Sequence, residues 1–157
     1  MAAPPEQIEF SHTDWSGLIE RARALVAGGR GWVNLLPEVR DDPAREDEAS
    51  RSWLGGLFRG GGPMVPLGTW VVATRKEPAT VGVAHGLRMK VVPRLVEHGI
   101  TAPAGWVVLQ DNPRRGLVVR PRPDAAPEDV LGWLMEAVDD LCPDQLTGHW
   151  LAEVHDR

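Results

Sequence analysis

The sequence predicts an α/β two-layer sandwich, in which three main helices pack on a mixed, largely antiparallel sheet of five or six strands. The 157 residues amount to about one domain, and 43% hydrophobic with 25% charged residues is the composition of an ordinary folded protein. Short β-rich segments bounded by Gly and Pro alternate with segments of helical apolar spacing. We therefore treat residues 1–157 as a single domain that begins with an N-terminal arm over residues 1–12.

The first helix is predicted over residues 14–28, where apolar side chains recur at helical spacing. Thr13 or Asp14 would cap its start, because each offers a side-chain oxygen to free backbone amides. Two glycines at 28–29 would end it. A strand over residues 31–36 follows, and this strand is expected to end at the next proline.

The segment after this strand is acidic and lacks apolar periodicity. Residues 38–49 are therefore predicted to form an acidic surface loop. Residues 50–59 then place Trp53 and Phe58 on one face of a short amphipathic helix that is tethered by flexible segments. An apolar face of this kind either packs on the sheet or contacts a second copy or another protein. We expect a homodimer or protein partner to use Trp53 and Phe58.

Two strands are predicted over residues 67–75 and 80–84, with a turn between them. The next segment is ambiguous, because residues 86–92 alternate like a strand while their apolar members also share a helical face with later residues. Proline is tolerated in the first turn of a helix, so Pro93 permits a helix over residues 89–98. We prefer this helix to the strand.

The last third of the chain predicts a hairpin, a helix and a terminal strand. Residues 105–110 and 116–120 are β-rich and are joined by turn-forming residues. The helix begins at Pro127, which suits the first helical position, and ends before Pro143. Residues 148–154 form the last predicted strand.

Large aromatic packing depends on tryptophan, since the chain has seven Trp, two Phe and no Tyr. Trp70 and Trp106 lie on strands that we expect to be central in the sheet. Trp133 flanks the apolar stripe of the last predicted helix, so we expect it to cover these strands.

The net charge and the single cysteine limit the classes of function and the cellular location that fit this sequence. A formal net charge of -5 argues against a general nucleic-acid binder, although residues 75–122 are locally basic. The single cysteine, Cys142, excludes an internal disulfide and favours the reducing cytoplasm. The first residues lack a signal-peptide pattern, and no apolar run has the length of a membrane span, so we expect an unexported protein without a membrane partner.

The sequence contains none of the common catalytic, nucleotide-binding or metal-binding motifs. We therefore expect no cofactor and no metal, and we favour a noncatalytic role without excluding an enzyme. Cys142 is interpreted as a core or boundary residue, because its place at the end of a helix disfavours the thiolate.

Two loops provide the best candidate ligand site. One contains His85, Arg88 and Lys90 before or inside a helix start, and the other contains Arg114 and Arg115 in the predicted hairpin. If the loops meet, amides, imidazole and guanidinium groups would bind a small phosphate or carboxylate. The alternative is that these cations are solvated surface residues around ordinary turns.

The runs PLGTWVVATR, VGVAHG and PAGWVVLQDNPRRGLV resemble a small family of uncharacterised actinobacterial proteins over residues 66–119. This resemblance implies an α/β domain of unknown function, and it transfers no activity, cofactor or catalytic residue. From the residues we expect a cytoplasmic binding or protein-interaction module. The alternative is an enzyme or sensor for a small anionic metabolite, with His85 as its acid-base group.

Overall fold

The structure, a computed structural model, describes residues 3–40 and 65–156. These residues form three helices and a seven-stranded sheet. In chain order the elements are β1 (Glu6–Ser11), α1 (Ser16–Gly28), β2 (Trp32–Val39), β3 (Leu67–Val71), β4 (Thr80–Ala84), α2 (Val92–Glu97), β5 (Val107–Asn112), β6 (Gly116–Arg120), α3 (Pro127–Leu141) and β7 (Leu146–His155).

The strands lie in the order β1-β7-β2-β3-β4-β6-β5, and every neighbouring pair is antiparallel. The prediction of an α/β fold with helices and a largely antiparallel sheet is confirmed, whereas the predicted five or six strands and mixed pairing are wrong. The additional strand is β1, which lies within the predicted N-terminal arm. Ile8 and Phe10 of β1 pair in register with Ala152 and Trp150 of β7. The local sequence gives little indication of a strand whose backbone partners come from the distant end of the chain.

The buried core lies on one face of the sheet. Val33 of β2, Trp70 of β3 and Val81 of β4 are in register and buried, because side chains at paired positions share a face. Helix α3 packs over this face so closely that a Cβ on Gly68 would lie 2.8 Å from Leu134 Cγ. The glycine in β3 therefore makes room for the helix.

Helix boundaries differ from the predictions where distant groups intervene. Neither Thr13 nor Asp14 caps α1, whose N-cap is Trp15 without a side-chain cap, while Gly29 ends the helix with φ +63° as expected. Helix α2 is shorter than predicted and begins at Val92, with its proline in the first turn. Helix α3 begins at its proline as predicted.

Strand β2 continues through Pro37 to Val39, instead of ending at the proline. Its pairing with β3 reaches only Leu35, so Pro37 pairs on one side, with Trp150 of β7. Proline is compatible with a strand where a ladder is one-sided. Consequently Glu38 and Val39, predicted in the acidic loop, belong to the sheet.

The expectations for the tryptophans are confirmed in part. Trp70 is 3% exposed on β3, the middle strand of the seven. Trp106 lies just before the edge strand β5 and is half-buried, so its predicted central place is wrong. Trp133 covers it, with ring centroids 5.6 Å apart in an edge-to-face arrangement.

The predicted tethered helix over residues 50–59, with Trp53 and Phe58, lies outside the described residues, as does the acidic loop from residue 41 onward. No helix in residues 3–40 and 65–156 has the length and apolar character needed to cross a membrane.

Candidate functional site

The two loops of the predicted anion site lie at the same end of the sheet. Strand β4 ends just before His85, and its Val83 pairs with Leu117 of β6, just after the turn that carries Arg115. A Cβ on Gly116 would lie 2.4 Å from the carbonyl oxygen of Val83, so the two backbones are in close contact. Antiparallel pairing of β4 with β6 therefore brings these loops together.

His85 is 1% exposed and lies in the core, not on a surface. Its Nδ1 accepts a hydrogen bond from the backbone N–H of Leu87 at 3.3 Å, which places the ring hydrogen on Nε2 of the neutral imidazole. Nε2 is buried and has no hydrogen-bond partner among the described residues. Burial lowers the pKa of His85, while the Asp111 carboxylate opposes this shift.

The four cations of the predicted site, Arg88, Lys90, Arg114 and Arg115, are all exposed. Asn112 Oδ1 accepts both backbone N–H groups of Arg114 and Arg115 at 2.9 Å, so this turn is ordered without a ligand. The two cavities described below are lined by other residues. The structure thus brings the loops together, but it places His85 beneath the surface and the four cations on it.

The buried imidazole predicts acid-sensitive stability. Because the folded-state pKa of His85 lies below its ordinary 6.5, the unfolded chain binds a proton at a higher pH than the folded chain does. The free energy of unfolding should therefore decrease as the pH falls from 7.5 to 5.5, by at most about 1.4 kcal/mol per pH unit for one proton.

Urea denaturation at several pH values measures this slope. His85→Leu should remove most of it, because it removes the buried titrating group. His149→Asn is the control, since His149 is exposed and this variant keeps the buried His85 that causes the slope. Equal slopes in wild type and His85→Leu would contradict the assignment.

A cavity of about 630 Å³ lies between α3 and the segment that leads from α2 into β5. Trp106 and Trp133 are among its lining residues, and Trp133 donates its Nε1–H to the carbonyl oxygen of Thr101 at 3.2 Å. This bond fixes the loop against the helix. We refer to this cavity as the acidic groove, whose lining residues are Thr101, Pro103, Ala104, Trp106, Arg122, Asp124, Ala125, Glu128, Asp129, Gly132, Trp133 and Glu136.

A second cavity, of about 560 Å³, shares Glu136 with the acidic groove and is also lined by Asp139 and Asp140. Asp129, Gly132, Glu136, Asp139 and Asp140 follow one another at intervals of three, four, three and one residues, which places them on one side of α3. The carboxylates thus extend about 16 Å along the helix.

Several of these carboxylates already have cationic partners. Arg122 forms two bonds of 3.0 Å with Asp124, Arg23 pairs with Glu128, and both Arg94 and His98 contact Asp140. Asp129, Glu136 and Asp139 are exposed and form no ion pair with any described residue. The groove therefore presents two carboxylates, Asp129 and Glu136, that a cation can reach, and Asp139 of the adjoining second cavity is a third.

The other candidates for chemistry have structural explanations. His98 Nδ1 lies 2.5 Å from Asp140 Oδ1, and Arg94 shares that carboxylate, so the histidine belongs to a surface hydrogen-bonded cluster. Burial raises the pKa of the Cys142 thiol, which disfavours the reactive thiolate. In residues 3–40 and 65–156, no three His, Cys, Asp or Glu residues form a group suited to a metal ion.

The sequence prediction missed this groove. Its helical part has a signal, namely carboxylates that recur along one side of α3 opposite the apolar stripe. The wall that contains Thr101 and Trp106 has no such signal in the sequence, because these residues contact the helix only through tertiary packing.

Comparison of the chain with protein-family models, curated proteins and solved structures gave no match. The resemblance to an actinobacterial family stays an expectation, and the function is inferred from the geometry.

Proposed function

We propose that this chain is a two-layer α/β domain that acts as a noncatalytic binding module, and that the acidic groove binds a cationic segment of a partner protein. The observation that carries this proposal is that two indole rings lie beside carboxylates that lack cationic partners among the described residues, namely Asp129 and Glu136 in the groove and Asp139 in the adjoining cavity. The single cysteine supports the cytoplasm as its location.

The indole rings favour an organic cation over a hydrated metal ion. Trp106 is half-buried and borders the groove, so part of its ring is available to a guanidinium or ammonium group. A cation over an indole face gains about 0.5–2 kcal/mol, and arginine is the most frequent natural partner. Carboxylates at the rim add charge-assisted hydrogen bonds that match the guanidinium geometry.

The length of the carboxylate stripe, which continues from the groove into the second cavity, favours a peptide over a single amino acid. Asp129 and Asp139 are ten residues apart on α3, which corresponds to about 15 Å along the axis. An extended peptide covers this distance with about five residues. A segment with several arginines therefore contacts both ends of the carboxylate stripe. The acidic net charge of -5 also attracts such a segment over a distance.

Calorimetric titration with a hexa-arginine peptide tests this function. Asp129→Asn with Glu136→Gln should weaken binding about tenfold, because two carboxylates lose their charge within the groove. Glu20→Gln with Glu77→Gln is the matched control, since both residues are exposed, lie outside the groove and change the net charge equally. Equal affinities of the two double variants would overturn the proposal.

A second candidate function is an enzyme or sensor that recognises a small anion through the loops of His85 and Arg114. Two observations support it: the loops lie together, and the buried Nε2 of His85 has no acceptor among the described residues. The same titration distinguishes the two candidates when hexa-glutamate replaces hexa-arginine. Tight binding of the acidic peptide alone favours the anion site.

A further inference from the structure

Strand β5 forms one edge of the sheet. It pairs with β6 along one side, and no strand in residues 3–40 and 65–156 pairs with its other side. The free backbone N–H and C=O groups of an edge strand are a template for another strand. Natural proteins usually protect such an edge with charged residues or a covering segment.

The two edges of this sheet differ in their protection. The opposite edge, β1, carries Glu6 and Glu9. In contrast, residues 107–110 of β5 are Val, Val, Leu and Gln, without a charge. The Val107, Val108 and Leu109 side chains are 44%, 42% and 49% exposed. The pairing of β5 with β6 has a register irregularity between Val108 and Gln110, as is common at sheet edges. The β5 edge carries no other protection: it is unpaired by described residues and apolar.

Apolar exposure is concentrated beside this strand. Seven large apolar side chains of the described residues are well exposed, and five of them belong to β5, to α2 or to the segment before α2. Helix α2 is tied to β5, because Asp111 accepts the backbone N–H groups of Val91 and Val92 at 2.9 and 3.0 Å. The five side chains are Met89, Val96, Val107, Val108 and Leu109.

We propose that β5 pairs with β5 of a second copy of this chain, which makes a two-fold symmetric dimer with one continuous sheet. A two-fold axis near Leu109 makes the two strands antiparallel, and residues 108–110 of each copy, which are uncharged, face the same residues of the other. Two acidic chains repel one another at most surfaces. The electrostatic repulsion between two copies is therefore weakest where their uncharged edges meet.

Charge complementarity also favours a second copy as the occupant. In the antiparallel pair, the turn at residues 113–115 of each copy lies beside residues 103–106 of the other. The former carries Arg114 and Arg115, and the latter borders the acidic groove. Each groove thus receives two cations from the other copy. The pairing of the two β5 strands is independent of the proposed function. The attraction between the two arginines and the acidic groove rests on the proposed function.

Sedimentation equilibrium of the full chain tests the dimer. Wild type should be dimeric at concentrations of about 100 µM and above. Leu109→Lys should raise the dimer dissociation constant about a hundredfold, because it places two like charges near the symmetry axis. Val26→Lys is the matched control: Val26 is 48% exposed on α1, away from the edge strand, and this variant should remain dimeric.

A monomeric wild type, or a Leu109→Lys variant that dimerises as tightly as wild type, would overturn the proposal. The double variant Arg114→Glu with Arg115→Glu provides a second test: it should weaken the dimer, and added salt should tighten the association of this variant, because salt screens the new repulsion between the glutamates and the acidic groove. Sedimentation equilibrium measures the mass without any peptide. A monomeric result is therefore distinguishable from a failure of the acidic groove to bind hexa-arginine.

Discussion

Trp70→Ala should lower the free energy of unfolding by about 3 to 5 kcal/mol. Trp70 lies on the middle strand of the sheet, is 3% exposed, and has Val33 and Val81 as its register partners on either side. Alanine at this position leaves a large cavity under α3, which cannot collapse without moving the sheet or the helix. A loss of this size is a large share of the stability of an ordinary domain.

Urea denaturation measures this loss, and Trp70→Phe is the informative comparison. The Nε1–H of Trp70 is buried without an acceptor in the described part of the chain, so phenylalanine removes ring volume but breaks no hydrogen bond given by the structure. Trp70→Phe should therefore lower the free energy of unfolding by less than half as much as Trp70→Ala does. An unchanged denaturation midpoint in Trp70→Ala would show that β3 is not the centre of the core.

Gly116→Ala should lower the free energy of unfolding by about 3 kcal/mol or more. Gly116 has φ +88°, which is unfavourable for a residue with a side chain, and its Cβ would lie 2.4 Å from the backbone oxygen of Val83. Relief of this contact requires β4 and β6 to separate where the two candidate loops meet. The strain of the dihedral angle and the loss of strand pairing both contribute to the cost.

Gly148→Ala separates these two contributions. Gly148 has φ +93° but no atom within 4 Å of an added Cβ, so its substitution should cost only about 1–2 kcal/mol of backbone strain. The difference between the two variants, measured by thermal or urea denaturation, reports the contact between β4 and β6. Equal losses would indicate that the strands are not packed as closely as described.

Local patterns were sufficient for the elements whose stabilising groups lie within the element. Helix α3 is an example, because Pro127 at its first position and its apolar stripe predict its start and its buried face. The hairpin of β5 and β6 is another, since turn residues separate two β-rich runs.

The boundaries that depend on distant residues were not predictable in this way. Strand β1 exists because β7, from the other end of the chain, supplies its backbone partners. Helix α2 begins at Val92 because the Asp111 carboxylate, on a later strand, accepts the first two amides. The acidic groove is of the same kind: its carboxylate stripe is visible in the sequence, but its indole wall results from packing.

The most direct test of the account is to locate a bound cationic peptide on the protein. In ¹⁵N-labelled protein each of the seven tryptophans gives its own indole N–H signal, and single Trp→Phe variants assign these signals. On titration with hexa-arginine, the account predicts that the signals of Trp106 and Trp133 shift together, while those of Trp70 and Trp150, which are buried away from the groove, stay in place. Shifts confined to other tryptophans, or unchanged Trp106 and Trp133 signals at saturating peptide, would contradict it.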